Sequence, residues 1–174
     1  MHSMPGEPLP DAYDLLIYAK NGHRPQLLEH LAEAFPRHIQ IHYGRYRREE
    51  LFEAARRSRV CAYLADDDHG PLALQEILLA GCPTVGVRTG ASFVRHGETG
   101  IVVDRLPPGA SCVECDADAV ALDAFIDAIE QAQAIDRPSV RAIAAEQFNT
   151  TSIVDGLLES LSSLSQGVHH ATRK

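Results

Sequence analysis

The chain has 174 residues, enough for one domain with a buried core. Hydrophobic residues make up 45% of it, yet no apolar run reaches the roughly 18 residues that span a bilayer, so a soluble globular protein with no integral membrane segment is expected. A formal net charge of −8 argues against a nucleic-acid surface.

Residues 1–12 are rich in Pro and Gly, lack the apolar region of a signal peptide, and read as a disordered N-terminal segment. An apolar strand covers 14–19. Pro25 opens a helix whose stripe is Leu27, Leu28, Leu31, Ala32 and Phe35. A second strand runs from His38 to Tyr43 and ends at Gly44. Leu51, Phe52 and Ala55 mark a second helix, and Val60 to Leu64 a third strand. The acids Asp66 to Asp68 lead into a helix that carries Glu76. Strands follow at Pro83 to Val87 and Ile101 to Val103. Val120, Leu122, Phe125, Ile126 and Ile129 form the stripe of another helix, Pro138 opens the next, and Ile153 to Leu164 carry a last amphipathic helix. Residues 165–174 read as a flexible polar tail, which leaves 13–164 as a single domain. Short apolar strands alternating with helices predict an α/β fold with a doubly wound parallel sheet, Rossmann-like, whose ligand sits beyond the carboxyl ends of the strands.

Cys61 and Cys82 lie in apolar runs and are expected to be buried, reduced and inert; Cys112 and Cys115 have CxxC spacing without a second ligand pair and read as a solvent-edge strand. No metal set and no cofactor motif emerges, and a reducing, cytoplasmic setting fits the cysteine usage. The arginines at 45, 47, 48, 56, 57 and 59 read as a solvated helix face. The fold rule places Lys20 and Arg24 at the ligand mouth, as a cation pair for a diphosphate or as side chains facing water. Gly70, near a helix start, leaves room for a phosphate to approach backbone N–H groups. Glu76 is an acid on an otherwise apolar helix, where it either accepts from a ribose diol or faces solvent at an edge. Asp68 either caps that helix or reaches a bound sugar. Arg45 and Tyr46 follow the second strand, where they face either a nucleobase or solvent. His96-Gly97-Glu98-Thr99-Gly100 reads as a structural turn.

The stretch from Asp68 to Gly100, DHGPLALQEILLAGCPTVGVRTGASFVRHGETG, resembles the donor-binding segment of the retaining GT-B glycosyltransferases of the "glycosyl transferases group 1" family: an acid, seven residues, a Glu on a helix, a Gly-x-Pro-Val-like run and a Gly-Glu-Thr-Gly turn. Residues 144–161, AAEQFNTTSIVDGLLESL, are similar to that family's terminal region. The resemblance implies metal-independent transfer of a sugar from a nucleotide diphosphate sugar. Lys20 and Arg24 would hold the diphosphate, Glu76 the ribose, and Asp68, as the catalytic-site acid, the donor sugar. The family's first acid is normally Glu, its basic pair is usually Arg then Lys five residues on, and Gly-Phe-Gly-Leu-Pro often follows the acid. This chain has Asp68, Lys20 before Arg24, and His69-Gly70-Pro71-Leu72-Ala73. The family's N-terminal acceptor domain has no counterpart here. The expected partners are that domain or a second copy of the chain. A stand-alone nucleotide-binding module is the alternative, and a flavodoxin-like or response-regulator-like domain fits the alternation alone.

Overall fold

The computed structural model of the protein describes residues 6–20, 24–107 and 116–149, with side chains throughout except at 116–119. Five strands, β1 (Tyr13–Ala19), β2 (His38–His42), β3 (Ser58–Leu64), β4 (Thr84–Val87) and β5 (Gly100–Val103), form one parallel sheet in the order β2-β1-β3-β4-β5. Helices α1 (Pro25–Ala34), α2 (Arg48–Arg57), α3 (Leu72–Leu79), α4 (Asp116–Ala132) and α5 (Arg137–Gln147) connect and cover it. The expected doubly wound, Rossmann-like α/β fold is the observed one.

Side-chain alternation divides the core into two layers. Leu15, Ile17, Val60, Ala62 and Leu64 pack with Leu27, Leu31, Phe125 and Ile129 of α1 and α4. Leu16, Tyr18, Cys61 and Tyr63 point the other way, onto Leu51, Leu74, Ile77, Val140 and Ala144 of α2, α3 and α5. Both faces of β1 and β3 are therefore apolar, as a covered parallel sheet requires.

Two local features lock the far end of the sheet. Helix α3 ends in a Schellman motif: Gly81, at φ +75°, and Cys82 donate their N–H groups to Leu78 and Ile77. The turn at 96–100 docks β5 on β4, because buried Thr99 accepts from Thr84 N–H through its carbonyl and from Arg95 N–H through its hydroxyl. Cys61 and Cys82 are buried free thiols; burial pushes both up, Cys82 to about 12, so they stay protonated.

The described part of the N-terminal segment makes hydrogen bonds with the domain. Leu9 and Ala12 N–H groups donate to Arg56 and Arg57 carbonyls, and Arg141 donates to Gly6 O at 3.0 Å. Arg137 also binds Leu9 O and Asp11 while reaching the carbonyls of Ala55 and Gly81. Pro and Gly keep this segment out of regular structure, but they leave its carbonyls free for three arginines, Arg56 donating to Glu7 O at 2.7 Å. Cys112, Cys115, the last predicted helix and the tail lie outside the described residues.

Gly100 has no room for a side chain, since a Cβ there would sit 1.8 Å from the Thr84 carbonyl oxygen, whereas nothing lies within 4 Å of one at Gly70. Gly100→Ala is expected to cost about 1–3 kcal/mol or more as β5 is pushed off β4, and Gly70→Ala no more than about 0.5 kcal/mol. Urea unfolding midpoints of the two variants check this; equal midpoints reject the close-approach argument.

Candidate functional site

Strand β2 lies on one side of β1 and β3 on the other, so the chain reverses its direction of winding between them. In such sheets the crevice opens beyond the carboxyl ends of the two strands at that reversal. Here a cleft of about 450 Å³ does so, with Tyr18 and Lys20 at the end of β1, Tyr43 and Gly44 after β2, Tyr63 in β3, and Asp68, Gly70 and Glu76 beyond it.

The floor is aromatic. Tyr18 and Tyr63 are register partners on β1 and β3, and their rings stack at 5.0 Å with 9° between planes. Burial drives both phenol pKa values far above the usual range, helped by hydrogen bonds with Tyr46 for Tyr18 and with Asp68 for Tyr63. Both therefore remain neutral hydroxyls. Tyr63 donates to Asp68 Oδ2 at 2.7 Å.

Asp68 is buried, yet it is charged and fully engaged. Lys20 Nζ lies 2.5 Å from Oδ1, and Gly70 N–H donates to the same oxygen at 3.2 Å. Burial by itself raises the Asp68 pKa; the hydrogen bonds from Lys20, Tyr63 and Gly70 and the Lys20 charge outweigh it and hold the carboxyl below its ordinary value. On the next wall Arg48, at the start of α2, places Nε 2.5 Å from Glu76 Oε1 on α3, with its guanidinium carbon 4.8 Å from the Phe52 ring centre. Lys20 Nζ also lies 5.2 Å from the Tyr43 ring centre.

The structure thus brings Lys20, Asp68, Gly70 and Glu76 to one cleft. Arg24 is elsewhere: its Nη2 meets both oxygens of Asp66 at 2.5 and 2.6 Å, its Nη1 meets Pro107 O, and it does not line the cleft. Arg45 is exposed and also outside the lining. Of the two readings of Asp68, the helix cap is not the observed arrangement. Pro71 is the N-cap of α3, without a side-chain bond, and Asp68 instead closes a local turn onto Gly70 N–H. His69 stands at the surface beside Asp67. Reading the arginines of residues 45–59 as a solvated face misses Arg48. The signal available for it is position: the first residue of a helix that follows a strand end at the mouth. Tyr18 and Tyr63 show in the sequence only as strand residues. No cluster of three metal-ligating side chains exists among the described residues, and none of their helices is long and apolar enough to cross a membrane.

No protein-family model and no curated protein matches the sequence. Solved structures do resemble this one, two glycosyltransferases among them. AviGT4, a glycosyltransferase involved in avilamycin A biosynthesis, aligns at a TM-score of 0.53 and 13% identity over 90% of this chain and 53% of its own. The chain shares a fold with glycosyltransferases. The pneumococcal O-GlcNAc transferase GtfA, solved with UDP and GlcNAc, aligns at 0.52 and 16% identity over 90% of this chain and 38% of its own. At these identities the likeness is one of fold. The chain spans about half the length of the first protein and less than two fifths of the second.

Because the Asp68 pKa is lower in the fold than in the unfolded chain, its contribution to stability is complete above about pH 4 and is lost as pH falls through the folded value. Asp68→Asn is expected to lower stability at neutral pH and to flatten the loss of stability on acidification. Tyr63→Phe, which removes one donor from a buried carboxylate, is expected to cost about 1–3 kcal/mol. Denaturation midpoints across a pH series check both, and a parent-like acid limb in Asp68→Asn rejects the assignment.

Proposed function

We propose that the cleft binds the nucleoside diphosphate part of a nucleotide sugar, and that the chain is the donor-binding half of a glycosyltransferase of the retaining GT-B type. The observation that carries this is the pairing of Lys20 and Glu76 in one cleft at the β1/β3 reversal. A lysine ammonium has three donors and Asp68 occupies one, so Lys20 has donors left for phosphate oxygens. A carboxylate offers about four acceptor sites, and Arg48 uses one oxygen of Glu76, which leaves room for the two hydroxyls of a ribose. Space is open beside Gly70, and a phosphate uses its N–H only by replacing Asp68 as the acceptor. The glycosyltransferase fold, and the complex of GtfA with UDP and GlcNAc, support the ligand class.

The remaining expected roles follow from geometry. Arg24 reaches the diphosphate only by leaving Asp66. Asp68 accepts from three donors and its side chain is buried, so it meets a sugar only through a rearrangement, and its main task in this reading is to fix Lys20. Arg45, outside the lining, is assigned none. Transfer requires acceptor and donor held in register with water excluded, so an acceptor domain or a second copy of the chain supplies the opposing wall.

Titration calorimetry with UDP, GDP and ADP is expected to show weak binding of at least one, and Glu76→Ala to weaken the best of them about tenfold or more, since a charge-assisted bond is worth about 1.5–3 kcal/mol. Parent-like affinity in Glu76→Ala rejects the ribose role. The chain alone is expected to transfer no sugar to an acceptor and to assemble with a partner domain or itself. Light scattering, run beside an acceptor-dependent turnover assay, checks this. A strictly monomeric chain that transfers sugar overturns the half-site reading, and nucleotide-sugar binding with no turnover in any assembly points to a binding module.

A further inference from the structure

Strand β2 is an edge of the sheet, and among the described residues no strand pairs with its outer side. Natural edge strands are blunted by Lys, Pro, a bulge or an inward charge. β2 has none of these: it is His38-Ile39-Gln40-Ile41-His42, its register with β1 is unbroken, and it reads the same in both directions. Its inner backbone groups are spent on β1, since Arg37 O accepts from Asp14 N–H at 2.7 Å and Tyr43 N–H donates to Ala19 O at 2.9 Å. Strand alternation then turns the N–H and C=O groups of His38, Gln40 and His42 to the free edge. His42 O also accepts from Arg45 N–H at 3.0 Å and keeps a second lone pair.

We propose that β2 pairs antiparallel with β2 of a second copy of the chain, about a two-fold axis at Gln40, so that two sheets become one. Such an axis sets a strand against its own reverse, and a palindrome matches there residue by residue. On one face Gln40 meets Gln40 and His38 meets His42, and these pairs exchange the outward backbone bonds. On the other face half-buried Ile39 meets Ile41 in the closer, non-hydrogen-bonded pairs, where side-chain contact is greatest. One step further out Arg37 meets Tyr43. Tyr43 is one of the three large hydrophobic side chains exposed among the described residues, and Arg37 has a 60% exposed guanidinium arm already held by Asp14. A cation over an aromatic face gives that ring a partner. The groove beside Ile39 carries both signs, Arg47 and Arg57 with Glu49, Glu50 and Glu53, so it complements a copy of itself in a chain whose net charge is −8. Tyr43 also lines the cleft, which places Arg37 of the second copy at the cleft mouth. The pairing goes beyond the nucleotide reading and holds whatever the cleft binds.

The experiment is light scattering on the full chain across a dilution series. The parent is expected to be a dimer, and Gln40→Lys, which sets two like charges opposite each other on the axis, to weaken dimerisation about tenfold or more. Gln40 is exposed, so the variant keeps the fold, and an unchanged far-ultraviolet dichroism spectrum checks that. A second variant tests the register. In a chain carrying Cys112→Ser and Cys115→Ser, Gln40→Cys sets two thiols on residues about 5.5 Å apart at Cα, within disulfide range. It is expected to give a covalent dimer with oxidised glutathione, and Glu130→Cys, on the exposed side of α4, is expected not to. A parent that is monomeric at every dilution, a dimer that Gln40→Lys leaves unchanged, or a dimeric Gln40→Cys chain that does not cross-link overturns the pairing. None of these results bears on nucleotide binding.

Discussion

The ladder between β1 and β3 is the constraint from which the site follows. With β2 already on one edge of β1, the chain has to return across β1 to lay down β3, and the loops leaving the two strands part. Tyr18 and Tyr63 face each other across this ladder and form a floor that no apolar pair would form in the same way, because each hydroxyl must find a partner when its ring is buried. The partner of Tyr63 is Asp68, the one charged residue that is buried among those described. A buried carboxylate costs several kcal/mol unless it is compensated. Three donors compensate this one, and one of them is Lys20. The position of the cation at the mouth is thus fixed by the cost of leaving Asp68 unpaired.

That arrangement sets the electrostatic character of the cleft. Its lining holds two cations, Lys20 and Arg48, and two acids, Asp68 and Glu76, each cation paired with an acid. Such a surface is close to neutral, in a chain where acids outnumber bases by 24 to 16. It orients a ligand through hydrogen bonds more than it attracts one through net charge, and a diphosphate needs further positive charge to bind tightly. Weak binding by this chain alone is the behaviour such a cleft supports.

Much of the fold was legible in the sequence because parallel strands covered on both faces appear as unbroken apolar runs, as at 15–19, 60–64 and 101–103, while the edge strand β2, HIQIH, shows as an alternation instead. Glu76 was legible for a related reason: a lone acid on the apolar helix 72–79 has to be facing something polar. The pairings were not legible. Which carboxylate meets Lys20, Arg24 or Arg48 depends on strand order, and alternation of strands and helices does not fix order. Asp66, Asp67 and Asp68 are chemically alike in sequence; the turn onto Gly70 N–H carries the third inward and leaves the first for Arg24. Arg48 could not be told from its neighbours until α2 was placed against α3. The attachments of 6–12 were hidden because they come from Arg56, Arg57, Arg137 and Arg141, all far along the chain.

The two candidate phosphate cations are not equivalent, and the difference decides which of them rearranges. Lys20 is held by a buried acid, and separating that pair strands a charge. Arg24 is held by Asp66, which is 54% exposed, and a pair of that kind is worth about 0–1 kcal/mol. Arg24 also has a buried Nε with no hydrogen-bond partner, so its present pose leaves one donor unsatisfied. It stands as the N-cap residue of α1, at the positive end of the helix dipole, where an anion is welcome and a second cation is not. A phosphate arriving there relieves both penalties, while Asp66 returns to water at little cost. In the proposed reading Lys20 is therefore the fixed anchor, sharing itself between Asp68 and the ligand, and Arg24 the residue that would move.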